Sequence, residues 1–293
     1  MIDKLEMFIA LAQLGHFGRA ADSLGITQPS LSAGIKQLEA QLGVQLVWRG
    51  SRFGGLTPEG QRVLQWARQI VGDTRTMREE MRAVRHGLSG NLRLAVIPTA
   101  LTVASDLTVR FTRKHPGVRI SILSATSVGI LQMIENLEVD AGISYLDNEP
   151  LGRVLSVALY RESYSFVCSA TSRFAVRKSL GWAEIVDERL CLLTPDMQNR
   201  RIINAQFLAA GVDVTPAVES NSTVVLMSHV ETGDWATILP GRMAAFLAAG
   251  KAVAMVPLEQ SGPPPSVGLI APWREPHTPV LTALLAEAKA LGD

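Results

Sequence analysis

Two short amphipathic segments joined by a three-residue turn constrain the start of the chain more than any other feature. The first is predicted over residues 17–24, and Gly25 in the turn suits a positive φ. Thr27 suits the N-cap of the next helix, and Pro29 falls in its first turn, where a missing N–H costs nothing. This layout predicts a helix-turn-helix, whose second helix enters the major groove of double-stranded DNA.

The second helix has one apolar and one polar face. Its apolar positions are predicted to be buried: Leu31, Ile35, Leu38 and Leu42. The opposite face carries short, mostly uncharged side chains: Gln28, Ser30, Ser32, Ala33, Lys36 and Gln37. Glutamine can pair with adenine, serine with a base or a phosphate, and lysine with a phosphate or guanine. This face is a candidate for reading DNA, and the alternative is the solvated face of a small helical bundle.

A short basic hairpin is predicted after this helix. Residues 44–48 have the pattern of a strand, and Arg49 and Arg52 follow on a glycine-rich segment. Arginines on such a wing can contact phosphates or enter the minor groove. The full order of elements therefore favours a winged helix-turn-helix over the plain bundle.

The charge of this N-terminal part is balanced. Residues 1–60 contain five basic and five acidic residues, and the whole chain has a formal net charge of +1. A non-specific architectural DNA binder would usually be far more basic, because phosphate neutralisation is its main source of affinity. Near neutrality favours a reader that depends on base contacts and on the spacing of paired units.

Residues 15–60 also carry a dense set of motifs: Gly15-His16-Phe17-Gly18-Arg19-Ala20-Ala21, Leu24, Thr27-Gln28-Pro29-Ser30-Leu31-Ser32, Ile35, Leu38-Glu39, Leu42-Gly43, Arg49 and Leu56-Thr57-Pro58-Glu59-Gly60. This set closely resembles the N-terminal signature of LysR-type transcriptional regulators. The resemblance implies DNA contacts at Gln28, Pro29, Ser30, Ser32 and Lys36, and on the wing at Arg49 and Arg52. The family often has a basic residue where Ala33 stands here, so we expect a contact to be missing at that position.

Residues 58–88 contain no proline after Pro58 and predict one long helix. Apolar or nearly apolar residues recur in it at alternating steps of four and three, a heptad pattern: Val63, Ala67, Ile70, Thr74, Met77, Met81, Val84 and Leu88. Pairing with a second copy would bury this narrow stripe and hold two DNA-reading units at a set spacing. The alternative is a helix packed on its own C-terminal domain.

From Asn91 onward, predicted strands alternate with helices, which implies α/β domains with largely parallel sheets. The segments 90–94, 139–143 and 230–240 resemble the effector-binding region of the LysR family. That resemblance implies a periplasmic-binding-protein-like fold with two lobes around a cleft.

The expected fold class is therefore multidomain. An all-α winged helix-turn-helix N-terminal domain is expected over residues 1–58, a long linker helix over 59–88, and an α/β two-lobed effector-binding domain over 89–293. Within the last domain we expect lobe I at about 91–161 and 267–293 and lobe II at about 162–266.

Candidate cleft residues follow from position, because ligands of α/β sheets lie at the carboxyl ends of strands, near helix N-termini. The candidates end predicted strands or begin predicted helices: Pro98, Thr99, Ala100, Thr126, Ser127, Met197, Gln198, Asn199 and Asn221. Their hydroxyl, amide and backbone N–H groups would suit a small carboxylate or another small anion. The alternative for each residue is a simple N-cap.

Other classes of protein find little support in the sequence. The five histidines are scattered, and Cys168 and Cys191, the two cysteines, make neither a zinc site nor a disulfide framework. No hydrolase elbow, P-loop or dinucleotide-binding motif occurs, so no enzyme, metal or cofactor is expected. A transporter's solute-binding protein would need an export signal, and neither a signal peptide nor a membrane span is predicted, so we expect a cytoplasmic protein.

Together, the residues and the resemblance predict a ligand-responsive transcriptional regulator that binds an operator. As the family implies, we expect a homodimer through residues 58–88, a homotetramer (a dimer of dimers) through the C-terminal domains, and RNA polymerase as a further partner. A ligand in the cleft would change the angle between the lobes and so the spacing of the DNA-reading units, which requires different affinities for two states.

Overall fold

The structure is a computed structural model that describes residues 1–48 and 53–292. The chain divides into two compact units. Unit 1 comprises Met1–Gly87 together with Glu135–Glu138 and Arg274–Pro279, and unit 2 comprises Leu88–Ile134, Val139–Trp273 and Val280–Asp293.

Unit 1 is built on four helices: α1 (Ile2–Leu14), α2 (Phe17–Ser23), α3 (Gln28–Leu42) and α4 (Pro58–His86). Side chains cap α2 and α3, since Nδ1 of His16 accepts from the backbone N–H of Gly18 at 3.0 Å, and Oγ1 of Thr27 accepts from that of Ser30 at 3.3 Å. Gly43 ends α3 in the left-handed region at φ 69°. The predicted helix-turn-helix is therefore present as α2 and α3.

Helices α1, α2 and α3 and the start of α4 enclose one apolar core. Its α3 members are Leu31, Ile35 and Leu38, each at most 2% exposed. The expectation that Leu42 belongs to this buried stripe is wrong, because Leu42 is the last residue of α3 and is 40% exposed.

The wing is fastened to the helices by two polar side chains. The buried carboxylate of Glu39 accepts from the backbone N–H of Leu46 at 2.9 Å. The hydroxyl of Thr57 donates to the carbonyl of Gln45 at 2.6 Å and accepts from the N–H of Gly60 at 2.9 Å. An antiparallel bridge between Val47 and Leu56 closes the base of the hairpin.

Beyond residue 87, strands alternate with helices. Their bounds are β1 (Gly90–Val96), α5 (Leu101–Lys114), β2 (Val118–Ser124), α6 (Ser127–Glu135), β3 (Ala141–Tyr145), β4 (Val154–Arg161), β5 (Tyr164–Ser169), β6 (Cys191–Leu193), α7 (Gln198–Ala209), β7 (Val218–Ser220), α8 (Thr223–Glu231), β8 (Thr237–Pro240), α9 (Gly241–Ala248), β9 (Val253–Pro257), β10 (Ser266–Pro272) and α10 (Pro279–Gly292). Among the helices of residues 1–48 and 53–292, none combines the length and hydropathy that a bilayer crossing requires.

The strands of unit 2 form two lobes. In lobe I, five strands pair in the order β2-β1-β3-β10-β4. In lobe II, β8-β5-β9 form one sheet, β6-β7 form another, and a bridge between Leu190 and Ala236 lies between them. The chain passes from lobe I to lobe II between β4 and β5, and returns between β9 and β10.

The expectation of largely parallel sheets is wrong, because four of the seven pairings between described strands are antiparallel. β10 runs antiparallel to both of its neighbours, and so does β5. The return from lobe II brings β10 into the first sheet from the opposite end, and antiparallel pairing needs no crossover helix. β4, β7, β10 and α9 were not expected from the sequence.

The close approach at Gly60 gives a stability prediction. A Cβ there would lie 2.0 Å from the carbonyl oxygen of Leu46, a backbone atom that cannot swing aside. Gly60→Ala should lower the free energy of unfolding in urea by roughly 1–3 kcal/mol, although alanine favours helices. Gln61→Ala, at the exposed next position, is the matched control and should change it by less than about 0.5 kcal/mol. Equal values for the two variants would contradict the packing described here.

Candidate DNA-reading surface and effector cleft

The structure brings the helical DNA-contact candidates onto one surface. Gln28, Pro29, Ser30 and Lys36 are exposed on α3, and Ser32 is half-buried among them. Lys36 makes no ion pair with another residue of the described chain. The hydroxyl of Ser30 lies 2.8 Å from that of Thr27, so Ser30 also takes part in the helix cap. Arg49 and Arg52, the wing candidates, lie outside the described residues.

Helix α4 carries an exposed apolar stripe along most of its length. Trp66, Ile70, Met77, Met81 and Val84 are between 41% and 81% exposed. The heptad positions nearest the start of the helix do not belong to it, because Ala67 is fully buried in the core of unit 1 and Val63 packs against that core. The predicted seam is therefore divided between the core and the surface, and Trp66 joins the exposed part.

A narrow cleft, with room for about one water molecule in this structure, lies between the two lobes of unit 2. It is lined by Ile97, Pro98, Thr99, Ser127 and Tyr145 from lobe I and by Leu193, Met197, Gln198 and Asn199 from lobe II. Six of the nine sequence candidates meet here. Ile97, Tyr145 and Leu193 were missed, although all three lie at the carboxyl ends of strands.

The other three candidates lie elsewhere. Ala100 is buried in the short 3-10 turn Pro98–Ala100 but does not line the cleft. The hydroxyl of Thr126 accepts from the backbone N–H of Gly129 at 3.0 Å, which is the capping role that the sequence left open. Asn221 is exposed and outside the lining.

Three buried polar atoms of the cleft residues have no hydrogen-bond partner within the described chain: Thr99 Oγ1, Ser127 Oγ and Asn199 Oδ1. Leaving such atoms unpaired costs free energy, so they favour a ligand that can pair with them. Ser127 also begins α6, where free backbone N–H groups favour an acceptor. The lining residues include no charged side chain.

All three tyrosines of the chain meet at the buried carboxylate of Glu162. The hydroxyls of Tyr145, Tyr160 and Tyr164 lie 2.7, 3.1 and 3.4 Å from its oxygens. Burial raises the pKa of Glu162 to about 7, and the three tyrosine hydrogen bonds oppose that rise. Burial also raises the pKa values of Tyr145 and Tyr164, so both hydroxyls keep their protons.

Glu162 stands where the chain crosses between the lobes. Its backbone N–H donates to the carbonyl of Pro265, in the return crossing, at 2.8 Å. Its own carbonyl accepts from the side chain of Gln260 at 3.1 Å. One residue therefore ties both crossings together.

The start of α7 is held to lobe I by polar contacts. Arg201 pairs with both carboxylate oxygens of Glu149, at 2.5 and 2.8 Å. The side chain of Gln198 donates to the carbonyl of Asp147 at 3.0 Å, and that of Asn199 donates to the hydroxyl of Tyr145, also at 3.0 Å. These bonds connect cleft residues of lobe II directly to lobe I.

Neither cysteine lies in the cleft lining. Cys168 and Cys191 are free and buried, and burial raises the pKa of the Cys191 thiol to about 11. A thiol that keeps its proton is a poor nucleophile. Within the described residues, no group of histidine, cysteine and acidic side chains is arranged to hold a metal ion.

The raised pKa of Glu162 predicts a pH dependence of stability. Between its ordinary value of 4.5 and about 7, the folded protein holds a proton that the unfolded chain has released. This carboxyl's contribution to stability is therefore full below pH 4.5 and is lost as the pH rises to about 7. The change is on the order of 3 kcal/mol.

Glu162→Gln, which cannot ionise, should remove that loss. Unfolding in urea at pH 5 and pH 8 should show a smaller fall in the variant than in the wild type, by roughly 2–3 kcal/mol. Asp234→Asn, at an exposed position, should behave like the wild type. Parallel pH curves for the wild type and Glu162→Gln would show that Glu162 does not titrate in this range.

Two family models match this chain, one in its N-terminal part and one in its C-terminal part. Residues 2–61 match the family model described as "Bacterial regulatory helix-turn-helix protein, lysR family". Residues 85–292 match the model described as "LysR substrate binding domain".

Known transcriptional regulators are similar to this chain over half of its length or more. The HTH-type transcriptional regulator IlvR of Caulobacter vibrioides is 31% identical over 248 residues, which is 83% of each chain. XapR of Escherichia coli (strain K12) is 32% identical over 161 residues, so this chain spans only 55% of the length of that relative.

Two solved structures share the fold of the full chain. A variant of full-length OxyR from Pseudomonas aeruginosa aligns with a TM-score of 0.75 at 22% identity, covering 100% of this chain and 99% of the other. Full-length CbnR in complex with its target DNA aligns with a TM-score of 0.64 at 20% identity, covering 99% of both. The matched domains bear out the predicted fold class, and the chain belongs to the LysR family of transcriptional regulators, with an N-terminal DNA-binding domain and a C-terminal substrate-binding domain.

Proposed function

We propose that this regulator reads a promoter operator through α3 as a homo-oligomer, and that a small anion, such as a small carboxylate, acts as its effector in the cleft. The observation that carries this proposal is the exposed, nearly neutral polar face of α3. Its residues are free of the core, while Thr27 and Glu39 on the same helix hold the cap and the wing. RNA polymerase is a further proposed partner, and the cytoplasm is the proposed location because the operator is chromosomal DNA.

The reading surface begins at the N-terminal end of α3. Gln28, Ser32 and Lys36 recur at intervals of four residues, so they project from neighbouring turns of one helical face. A surface with a single lysine cannot obtain its affinity from phosphates alone. We therefore expect base contacts to supply most of the discrimination between sequences.

The exposed stripe of α4 supports pairing with a second copy. Trp66, Ile70, Met77, Met81 and Val84 are spaced by four, seven, four and three residues, which keeps them on one side of a long helix. An exposed apolar row of this length favours burial against a partner. A two-fold pair would present two copies of α3 to two half-sites, and a dimer of dimers would present four.

The cleft supports a mechanism for the effector. Thr99 and Ser127 belong to lobe I, whereas Gln198 and Asn199 belong to lobe II, so one ligand can contact both. Such a ligand binds more tightly at one angle between the lobes than at another and shifts the population toward that angle. The backbone N–H groups at the start of α6 and the hydroxyls of Thr99 and Ser127 would donate to the anion.

Lys36→Ala tests the reading surface. The variant should bind an operator selected by the wild type from a random-sequence DNA pool about tenfold more weakly, because it loses one base or phosphate contact. Lys178→Ala removes an exposed lysine from lobe II and should bind as the wild type does. Fluorescence anisotropy gives both affinities, and unchanged far-UV circular dichroism shows that the variants are folded. An unaltered Kd for a folded Lys36→Ala would remove α3 from the reading surface.

Met77→Glu tests the pairing of α4. A carboxylate buried in a paired apolar stripe is costly, so sedimentation velocity should show the variant dissociating at concentrations where the wild type is paired. Gln65→Glu makes the same change of charge at an exposed position outside the stripe and should leave the association unchanged. A variant that still pairs like the wild type would place the interface elsewhere.

A further inference from the structure

We propose that Asn199 determines the specificity of the cleft and that the effector presents a hydrogen-bond donor, a hydroxyl or an N–H group, to its Oδ1 atom. This inference rests on the proposed function, in which the cleft holds a small effector. It narrows the chemical class from any small anion to an anion that carries a donor as well.

The carboxylate of Glu162 determines which way the neighbouring hydroxyls donate. An ionised carboxylate only accepts hydrogen bonds, so the hydroxyls of Tyr145 and Tyr164 must donate to it, at 2.7 and 3.4 Å. Each hydroxyl has one hydrogen, which this bond uses. Toward any other neighbour, both tyrosine oxygens can then act only as acceptors.

That neighbour is the side-chain amide of Asn199. Its Nδ2 lies 3.0 Å from the hydroxyl of Tyr145 and 3.4 Å from that of Tyr164. Turning the amide over would set its oxygen against two oxygens that have no hydrogen to give. The carboxylate of Glu162 thus fixes the orientation of Asn199 through the two tyrosines.

With the amide of Asn199 held in this orientation, its Oδ1 atom can only accept a hydrogen bond. Asn199 is 3% exposed, and this oxygen has no partner within the described chain. The other unpartnered atoms of the lining, on Thr99 and Ser127, are hydroxyls that can donate or accept. Of these three atoms, Oδ1 of Asn199 therefore restricts the chemistry of a ligand most, because it can pair only with a hydrogen-bond donor.

A ligand without a donor fails this condition. An unsubstituted carboxylate can accept from the two hydroxyls of lobe I, but it leaves Oδ1 of Asn199 buried and unpaired. A hydroxyl or N–H group elsewhere on the same small molecule pairs with it. Because an unpaired buried acceptor costs about 1–3 kcal/mol, we expect at least about tenfold discrimination between the two kinds of ligand.

Matched acids test this inference on the full-length protein. The first set is propanoate, lactate and alanine, and the second is succinate, malate and aspartate. In each set the first acid has no added donor, the second carries a hydroxyl and the third an ammonium group. Calorimetric titration at pH 8 keeps Glu162 ionised, since its pKa is about 7. In at least one set, a donor-bearing acid should bind at least about tenfold more tightly than the unsubstituted one, and the preferred member distinguishes a hydroxyl from an ammonium source.

Variants of the protein test whether Asn199 is the residue that distinguishes donor-bearing from unsubstituted acids. Asn199→Leu should bring the ratio of the two Kd values to about one, mainly by weakening the donor-bearing acid. Tyr145→Phe, which frees the amide to turn over, should reduce the ratio and gives a second route should Asn199→Leu not fold. Thr194→Val removes a buried, unpartnered hydroxyl that does not line the cleft and should retain the ratio of the wild type.

Equal affinities within both sets, absence of binding included, would overturn the inference. So would a tenfold ratio that persists in a folded Asn199→Leu. Operator binding by the wild type, measured on the same preparation, separates this failure from a failure of the proposed function, because it does not depend on Asn199.

Discussion

The buried carboxylate of Glu162 collects the hydroxyls of three tyrosines at the point where the chain crosses between the lobes. Burying a charge is costly unless several donors surround it, and here they come from the last strand before the crossing, the first strand after it and β3. The same residue bonds to the return crossing through Pro265. This cluster and the bonds between the start of α7 and lobe I together hold the two lobes in position and so shape the cleft.

In unit 1, different residues of α3 serve stability and DNA recognition. The residues that hold α3 in place are Thr27, Glu39 and the apolar stripe, whereas the polar face around Lys36 has no part in the core. Apart from Ser30, which also takes part in the helix cap, the reading face can therefore change at little cost in folding stability. Because this part of the chain is nearly neutral, it attracts DNA phosphates only weakly. Pairing through α4 would then raise the affinity by binding two DNA-reading units at once.

Much of this architecture follows from local sequence rules. Helix caps such as Thr27 and helix starts such as those at Thr99 and Asn199 obey short-range chemistry, so α2, α3 and most of the cleft were predictable. Strand direction in β10 depends on the return from lobe II, which no local pattern encodes. The Glu162 cluster was missed, although Tyr160, Glu162 and Tyr164 alternate with a period of two, because Tyr145 and Asn199 join it only in three dimensions.

We infer that this chain reads a specific DNA sequence although its N-terminal part has a balanced charge. The most direct measurement is a salt titration of binding to a selected operator and to random DNA of the same length. At physiological salt we expect the ratio of the two affinities to be on the order of 10³ or more, and the salt dependence of binding to be shallow. A ratio near one at every salt concentration would contradict this inference.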